Sequence, residues 1–341
     1  MSQSTFISLF SVTQSTSDVD KQIPLYQSFG FVVDDGYQAL EVLPDEYFTA
    51  RGIERSNLIK SVCLRQPADP YMHLILHQFK GLKQGPAWPA PFDQVGSRCF
   101  SMLVRDVAHE VALIRKGFPN IRFLHDPMTI RRSWGVTTTA LFIDPEGGFV
   151  ELIEIENGSP YDPSKVKAPN FDDVQWLHFM YNCTNYKVTK KFYESFGMTH
   201  DAGVNFRPRS GYYPTYEGYS QLMEDAFGLD QETLLETGFL RNEDDVSNMH
   251  LELMDYTAGS LKDPDNKPTW AQKGIARYCF KVPDYAGALA HQKARGTKIY
   301  VEDQRACLMW GNTQWFFFGD MDGNLLTQEQ WYPTRCWGEK Y

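Results

Sequence analysis

The chain has 341 residues, 42% of them hydrophobic and 22% charged, an ordinary folded composition with length for two domains. A formal net charge of -10 with no basic run excludes nucleic acid and anionic membrane surfaces as expected partners, and no apolar run reaches membrane-span length. Six cysteines without a C-x-x-C pair fit neither a zinc knuckle nor a disulfide framework, and the N-terminus lacks a basic n-region, so a mature cytoplasmic protein is expected.

The elements follow one plan, repeated. "FISLFSV" reads as a strand, and Asp18 to Gly30 as a helix whose pattern Pro24 disturbs. Three strand-like runs follow, ending in "MHLILHQF", which carries His73 and His77. The second unit opens on "RCFSMLV" and takes Asp106 to Gly117 as its helix, with Val107, Val111 and Ile114 at helical spacing. "LHDPMTIRRSWG" then carries His125, Arg131 and Trp134, and the last run is "FVELIEI". A Pro/Ser/Gly/Asp-rich linker, "ENGSPYDPSKVKAPNFDD", separates the halves. The third unit starts with "WLHFMYN", has its helix from Asn185 to Gly197, and ends in "MHLELMD". It carries an insertion, "RPRSGYYPTYEGYSQ", with Tyr216. The fourth unit runs from "RYCFKV" through Asp284 to Gly296 and closes with "LLTQEQW". In all four helices Asp or Asn suits the N-cap, and Gly suits the left-handed stop eleven or twelve residues later.

The units match in alternation. "LYQSFGF" and "FYESFGM" link the first and third. Trp134-Gly135 and Trp310-Gly311, each pair's Trp ten residues before Asp144 or Asp320, link the second and fourth. This is a duplicated two-module half. The expected division is 1–160 (modules 1–82 and 95–157) and 170–341 (modules 172–258 and 272–334).

"DPEGGFVEL" and "DMDGN" resemble the turn before the last strand in the vicinal oxygen chelate superfamily, which includes glyoxalase I, epimerases, extradiol dioxygenases and bleomycin-resistance proteins. "LHFMYNCTNYKVTKKFYESFGM" is similar to its opening strand and helix. The resemblance implies an α+β fold of four βαβββ modules, forming two half-open mixed β-barrels with helices outside. It also implies a divalent metal, ligated from the first and last strands of paired modules.

The inward positions offer Ser11 and His73, Cys99 and Glu151, His178 and His250, and Arg277 and Thr327, module by module. Pairing within halves leaves Arg277 beside His178 and His250. Crosswise pairing of modules 2 and 3 assembles His178, His250 and Glu151 as metal ligands with Cys99 nearby. Fe(II) is favoured for such a set; Zn, Mn, Ni or Co would also bind. Glu252 shares the face of His250 and is an alternative ligand or base, and Glu329 and His77 face inward elsewhere. A structural alternative pairs Glu151 with Arg98. His125 is a candidate acid/base beside Glu151. Cys99, Trp134, Arg131 and Tyr216 are candidate substrate contacts, each with a plain packing or loop alternative.

The expected function is a metal-dependent enzyme on a small, oxygenated, aromatic substrate, first an extradiol-type ring-cleaving dioxygenase. That family takes ligands from module 4, where this chain has Arg277 and Thr327. A glyoxalase- or epimerase-like isomerase or lyase with a Glu base is the alternative, and a non-catalytic binder of aromatic ligands the third. The expected assembly is a monomer or homodimer.

Overall fold

The computed structural model describes residues 8–34, 45–49, 51–67, 69–83, 90–132, 135–156, 175–201, 234–245, 247–256, 270–308 and 311–332. The main helices begin where the sequence places a capping side chain. Asp18 accepts from the amides of Asp20 and Lys21, Asp106 from His109, Asn185 from Val188, and Asp284 from Gly287. Each cap contributes about 1 kcal/mol. The resulting helices are α1 (Val19–Ser28), α3 (Val107–Gly117), α4 (Tyr186–Glu194) and α5 (Tyr285–Ala294); a short α2 spans Asp45–Thr49.

Two local expectations are corrected. Pro24 lies inside α1 and does not end it. The bond that its missing N–H forfeits is to Asp20, in the exposed first turn, where the loss is small. Gly30, Gly197 and Gly296 take positive φ after their helices, but Gly117 does not; α3 includes it and ends on Phe118.

Module 1 supplies β1 (Ser8–Thr16), β2 (Val32–Val33), β3 (Leu58–Gln66) and β4 (Asp69–Phe79). Module 2 supplies β5 (Gly96–Leu103), β6 (Arg122–Phe123), β7 (Met128–Arg132), β8 (Gly135–Ile143) and β9 (Phe149–Ile155), one strand more than the plan. Module 3 contributes β10 (Gln175–Cys183), β11 (Thr199–His200), β12 (Leu234–Arg241) and β13 (His250–Tyr256). Module 4 contributes β14 (Gly274–Lys281), β15 (Ile299–Leu308), β16 (Gly311–Gly319) and β17 (Leu325–Tyr332).

The strands form two sheets, and the modules pair crosswise. One sheet runs β15-β16-β17-β14-β1-β4-β3-β2, joining module 4 to module 1. The other runs β11-β12-β13-β10-β5-β9-β8-β6, joining module 3 to module 2, with β7 added on β8. Among the described residues, neither sheet closes on itself. First strands meet antiparallel at each seam, β1 with β14 and β5 with β10, and each lies parallel to its own module's last strand.

Strand alternation sorts the side chains. Phe100, Met102, Val150, Leu152, Phe179, Tyr181, Leu74, Tyr278 and Phe280 face one continuous core, which also takes the helix residues Val19, Leu25, Val111, Ile114 and Phe192. The Phe179 and Tyr278 rings stack at 4.1 Å, one from each sheet. The Tyr278 hydroxyl donates to the carbonyls of Cys99 (3.2 Å) and Met180 (3.3 Å), next to a register shift in the β5–β10 pairing. The opposite faces carry smaller clusters: Phe92, Cys99, Phe149, Met180, Phe239 and Met254 on one sheet, and Phe79, Trp270, Trp315 and Phe317 on the other. Among the described residues, no helix is long and apolar enough to cross a membrane.

Candidate functional site

The β5–β10 seam places one side chain from each of several strands at a common level. His178 on β10 is the antiparallel partner of Ser101 on β5 and the parallel partner of His250 on β13. Ser101 is in turn the parallel partner of Glu151 on β9. Glu252, two positions beyond His250, shares its face.

Three acidic and basic side chains converge there. His178 Nε2 lies 3.2 Å from Glu252 Oε2 and 3.5 Å from Glu151 Oε2. Ser101 Oγ stands 2.7 Å from the same nitrogen and donates to Glu151 Oε2 at 2.5 Å. A serine has one hydroxyl proton, so with that proton on Glu151 its Oγ accepts from His178 Nε2–H. Thr139 Oγ1 donates to the other Glu151 oxygen at 2.7 Å. Glu151 is therefore fastened at both oxygens, whereas the described contact of Glu252 is to the imidazole. His178 Nδ1 is buried without a hydrogen-bond partner.

His250 turns elsewhere. Its Nε2 donates to Asp201 Oδ2 at 3.0 Å, and Arg241 Nε lies 3.0 Å from the same oxygen. Burial lowers the affinity of this imidazole for a proton; Asp201 acts against that shift. The His178 and His250 rings both stand edge-on to Phe239, at 5.3 and 6.1 Å.

The register explains the placement. Cys99 and His178 stand equally far ahead of their caps, Asp106 and Asn185. Cys99 pairs with Phe149, and His178 with His250. His250 is thus the counterpart of Phe149, and Glu252 is the counterpart of Glu151. The Met-His-Leu string shared by modules 1 and 3 contains His250, two positions before Glu252.

The other sequence candidates are distributed as follows. Cys99 is buried in the wall of the site, its Sγ 3.5 Å from the Phe100 carbonyl. Burial first, then the Glu151 and Glu252 carboxylates, push its thiol well above the usual range, so it is a neutral wall residue. His125 lies just before β7, between Leu124 and Met128, which both pack on the site's apolar lining. Its Nδ1 lies 2.7 Å from the Asp126 carbonyl, and its buried Nε2 has no hydrogen-bond partner. Arg131 has its backbone in β7, paired with Val136. Trp134 and Tyr216 lie outside the described residues. Arg98 does not hold Glu151: it donates to the Val95 carbonyl, and its nearby carboxylate is Asp93. Ser101, Thr139 and Asp201 were not singled out from sequence. Alternation from Cys99 could have found Ser101, and the Thr137-Thr138-Thr139 run offered the hydroxyl; nothing local marks Asp201.

Among the described residues, no three or more His, Cys, Asp or Glu stand in ready metal-coordinating geometry. The cluster is instead closed into direct hydrogen bonds. Its composition still suits a divalent cation: one imidazole and two carboxylates, an N/O donor set. A single imidazolium cannot balance two carboxylates, and a buried charge excess is costly.

No family model and no curated protein matches the sequence. Solved structures do match the architecture. Glyoxalase I from Zea mays aligns over 95% of this chain and 92% of its own, with 19% identity and a TM-score of 0.57. A mutant of the same enzyme aligns over 95% and 93%, with 16% identity and a TM-score of 0.59. A putative dioxygenase from Bacillus subtilis covers 96% of this chain and 86% of its own, at 12% identity and a TM-score of 0.58. The chain has the vicinal oxygen chelate fold. On this fold, the matching first- and last-strand positions of modules 2 and 3 are Cys99, Glu151, His178 and Glu252. Those of modules 1 and 4 carry a different chemistry.

Proposed function

We propose that the module 2/3 face is the active site of a divalent-metal-dependent isomerase or lyase. It would remove a proton next to a carbonyl of a small oxygenated substrate. The observation that carries this reading is the meeting of His178 Nε2 with carboxylates from two modules, at 3.2 and 3.5 Å. His178, Glu151 and Glu252 would hold the metal, which would polarise the substrate carbonyl when bound. Glu151, fastened by Ser101 and Thr139, suits a fixed ligand. Glu252 has no such hydroxyl donor among its described contacts, so it is the carboxylate able to swing and take the proton. Phe92, Phe149, Phe239 and Met180 supply an apolar surround that excludes water from the exchanged proton. The aromatic lining also favours a second reading, a ring-cleaving dioxygenase on a catecholic substrate.

The test pairs metal analysis with deuterium incorporation at the carbon beside the carbonyl, across 2-hydroxycarbonyl compounds. Wild type should bind about one metal and exchange. Glu252→Gln keeps an oxygen ligand but no base, and should keep metal and lose exchange; Glu151→Ala and His178→Ala, which remove a ligand outright, should lose the metal. O₂ uptake with catechols and no exchange would move the assignment to the dioxygenase. Metal content unchanged in all three variants would remove the site.

A further inference from the structure

One buried base of the module 2/3 face has no part in the carbon-proton transfer assigned to Glu252. His125 lies in the bend between β6 and β7 and is 8% exposed. The strand rows that hold Glu151 also place this bend. Leu124 donates its amide to the Leu141 carbonyl at 2.8 Å, and Leu141 is the antiparallel partner of Glu151. Met128 is the partner of Thr139, whose hydroxyl holds Glu151. Two strand spacings of about 4.8 Å put the His125 backbone on the order of 10 Å from that of Glu151, a span that a small substrate and a side chain from each end fill.

The neighbours of His125 orient its ring. Asp126 turns to α3, where its carboxylate meets Arg115 Nη2 at 2.6 Å, and that guanidinium lies 5.0 Å from the Phe123 ring. Phe123 packs against the central core, whereas Leu124 and Met128 pack on the lining of the site. With Asp126 held on the α3 side, the buried His125 ring is left the side that Leu124 and Met128 take. Its tautomer is fixed as well. Nδ1 stands 2.7 Å from the Asp126 carbonyl, which only accepts, so Nδ1 carries the hydrogen. Nε2 then bears a lone pair, buried and without a hydrogen-bond partner. An imidazole anchored at one nitrogen and open as an acceptor at the other suits a proton carrier.

Resting on the isomerase reading of this face, we propose that His125 is its second proton-transfer residue, acting between the two oxygens of a 2-hydroxycarbonyl substrate. Glu252 removes the proton from the hydroxyl-bearing carbon. The C–H pair becomes the C=C bond of an enediolate, and the carbonyl pair moves to its oxygen. His125 Nε2 takes the proton of the neighbouring hydroxyl and passes it to that oxygen, which returns the ring to its neutral form. The other oxygen then forms the new C=O bond, as the C=C pair takes the proton back from Glu252 at the former carbonyl carbon. One C–H and one O–H bond break and one of each forms, so no oxidant or reductant is consumed. Glu151 is tied at both oxygens and His178 is held between carboxylates, which leaves this transfer to His125.

The experiment follows mandelaldehyde in D₂O with the metal-loaded full chain, alongside metal analysis and melting curves. Two rates are read: deuterium entry at the carbinol carbon of recovered mandelaldehyde, and formation of its hydroxyketone isomer. Wild type should show both. His125→Ala should keep its metal and its melting point, keep exchange within about three-fold, and lose about 10²–10⁴-fold in hydroxyketone formation. Added imidazole should restore part of that loss. His125→Asn keeps a donor for the Asp126 carbonyl but no basic nitrogen, and should show the same split if the alanine variant does not fold. Glu252→Gln should lose both rates. Exchange and hydroxyketone formation falling together in a folded His125 variant, or hydroxyketone formed at the wild-type rate, overturns the role of His125 and leaves the isomerase reading standing. No exchange in metal-loaded wild type overturns that reading, and the role of His125 with it.

Discussion

The two sheets share a plan and differ in what their seams carry. On the module 2/3 face, His178 meets Glu151 and Glu252, with Ser101 and Thr139 as hydroxyl supports. On the module 1/4 face, Arg277 takes the place of the histidine and Thr327 that of a glutamate, and Arg51 is added from outside the strands. The backbone frame is the same: first strands antiparallel at the seam, each parallel to its module's last strand. A few side chains on that frame reverse the local charge. One face carries an imidazole between two carboxylates, and the other carries two guanidiniums among aromatic rings. Duplication of a module thus duplicates a position in space, and the side chain there decides what the position binds.

The largest expected effect breaks this comparison at the acidic face. Glu252→Gln should lower turnover by about 10²–10⁴-fold, the range for loss of a general base, with melting nearly unchanged. His250→Gln should cost far less turnover, because its ring is held by Asp201; an equal loss would return His250 to the ligand set.

The second prediction concerns what joins the faces. Phe179→Ala should destabilise the chain by about 3–5 kcal/mol in urea unfolding, because its ring stacks on Tyr278 from the other sheet. Tyr278→Phe should cost about 1–2 kcal/mol, for two carbonyls left without their donor.

The third compares the matching turns of modules 2 and 4. Asp144 accepts from Tyr26 and Gln22, and Asp320 accepts from Tyr193 and Asn324. Burial and the neighbouring Asp322 push the Asp320 carboxyl up to about 6; burial also raises Asp144. The folded state then holds the Asp320 proton more tightly than the unfolded chain does. Its contribution to stability is largest below the unfolded value of about 4 and declines as pH rises towards about 6, levelling above. Unfolding midpoints measured across that window should fall in wild type and fall less in Asp320→Asn.

The smallest effect is expected at Ser101. Ser101→Ala removes the hydroxyl between His178 and Glu151 and should weaken metal binding by about ten-fold, the low end for a supporting contact. Metal titration checks it.

The sequence by itself determined the modules. Asp18, Asp106, Asn185 and Asp284 each cap a helix, because capping is settled within a few residues. Alternation within a strand likewise placed Glu151, His178 and Glu252 on inward faces, since the two-residue period is local. Tertiary structure decided the rest. Whether β5 pairs with β10 or with β14 depends on contacts far apart in the chain. The register of β13 against β10 made Glu252, rather than His250, the counterpart of Glu151. A shift of two residues keeps every side chain on the same face, so no pattern of polar and apolar residues distinguishes the two registers. The partners Asp201 for His250, and Trp270 and Phe317 for Arg51, come from loops and strands with no local link to them. Side-chain chemistry was legible one residue at a time; which residues meet was set by the pairing of the sheets.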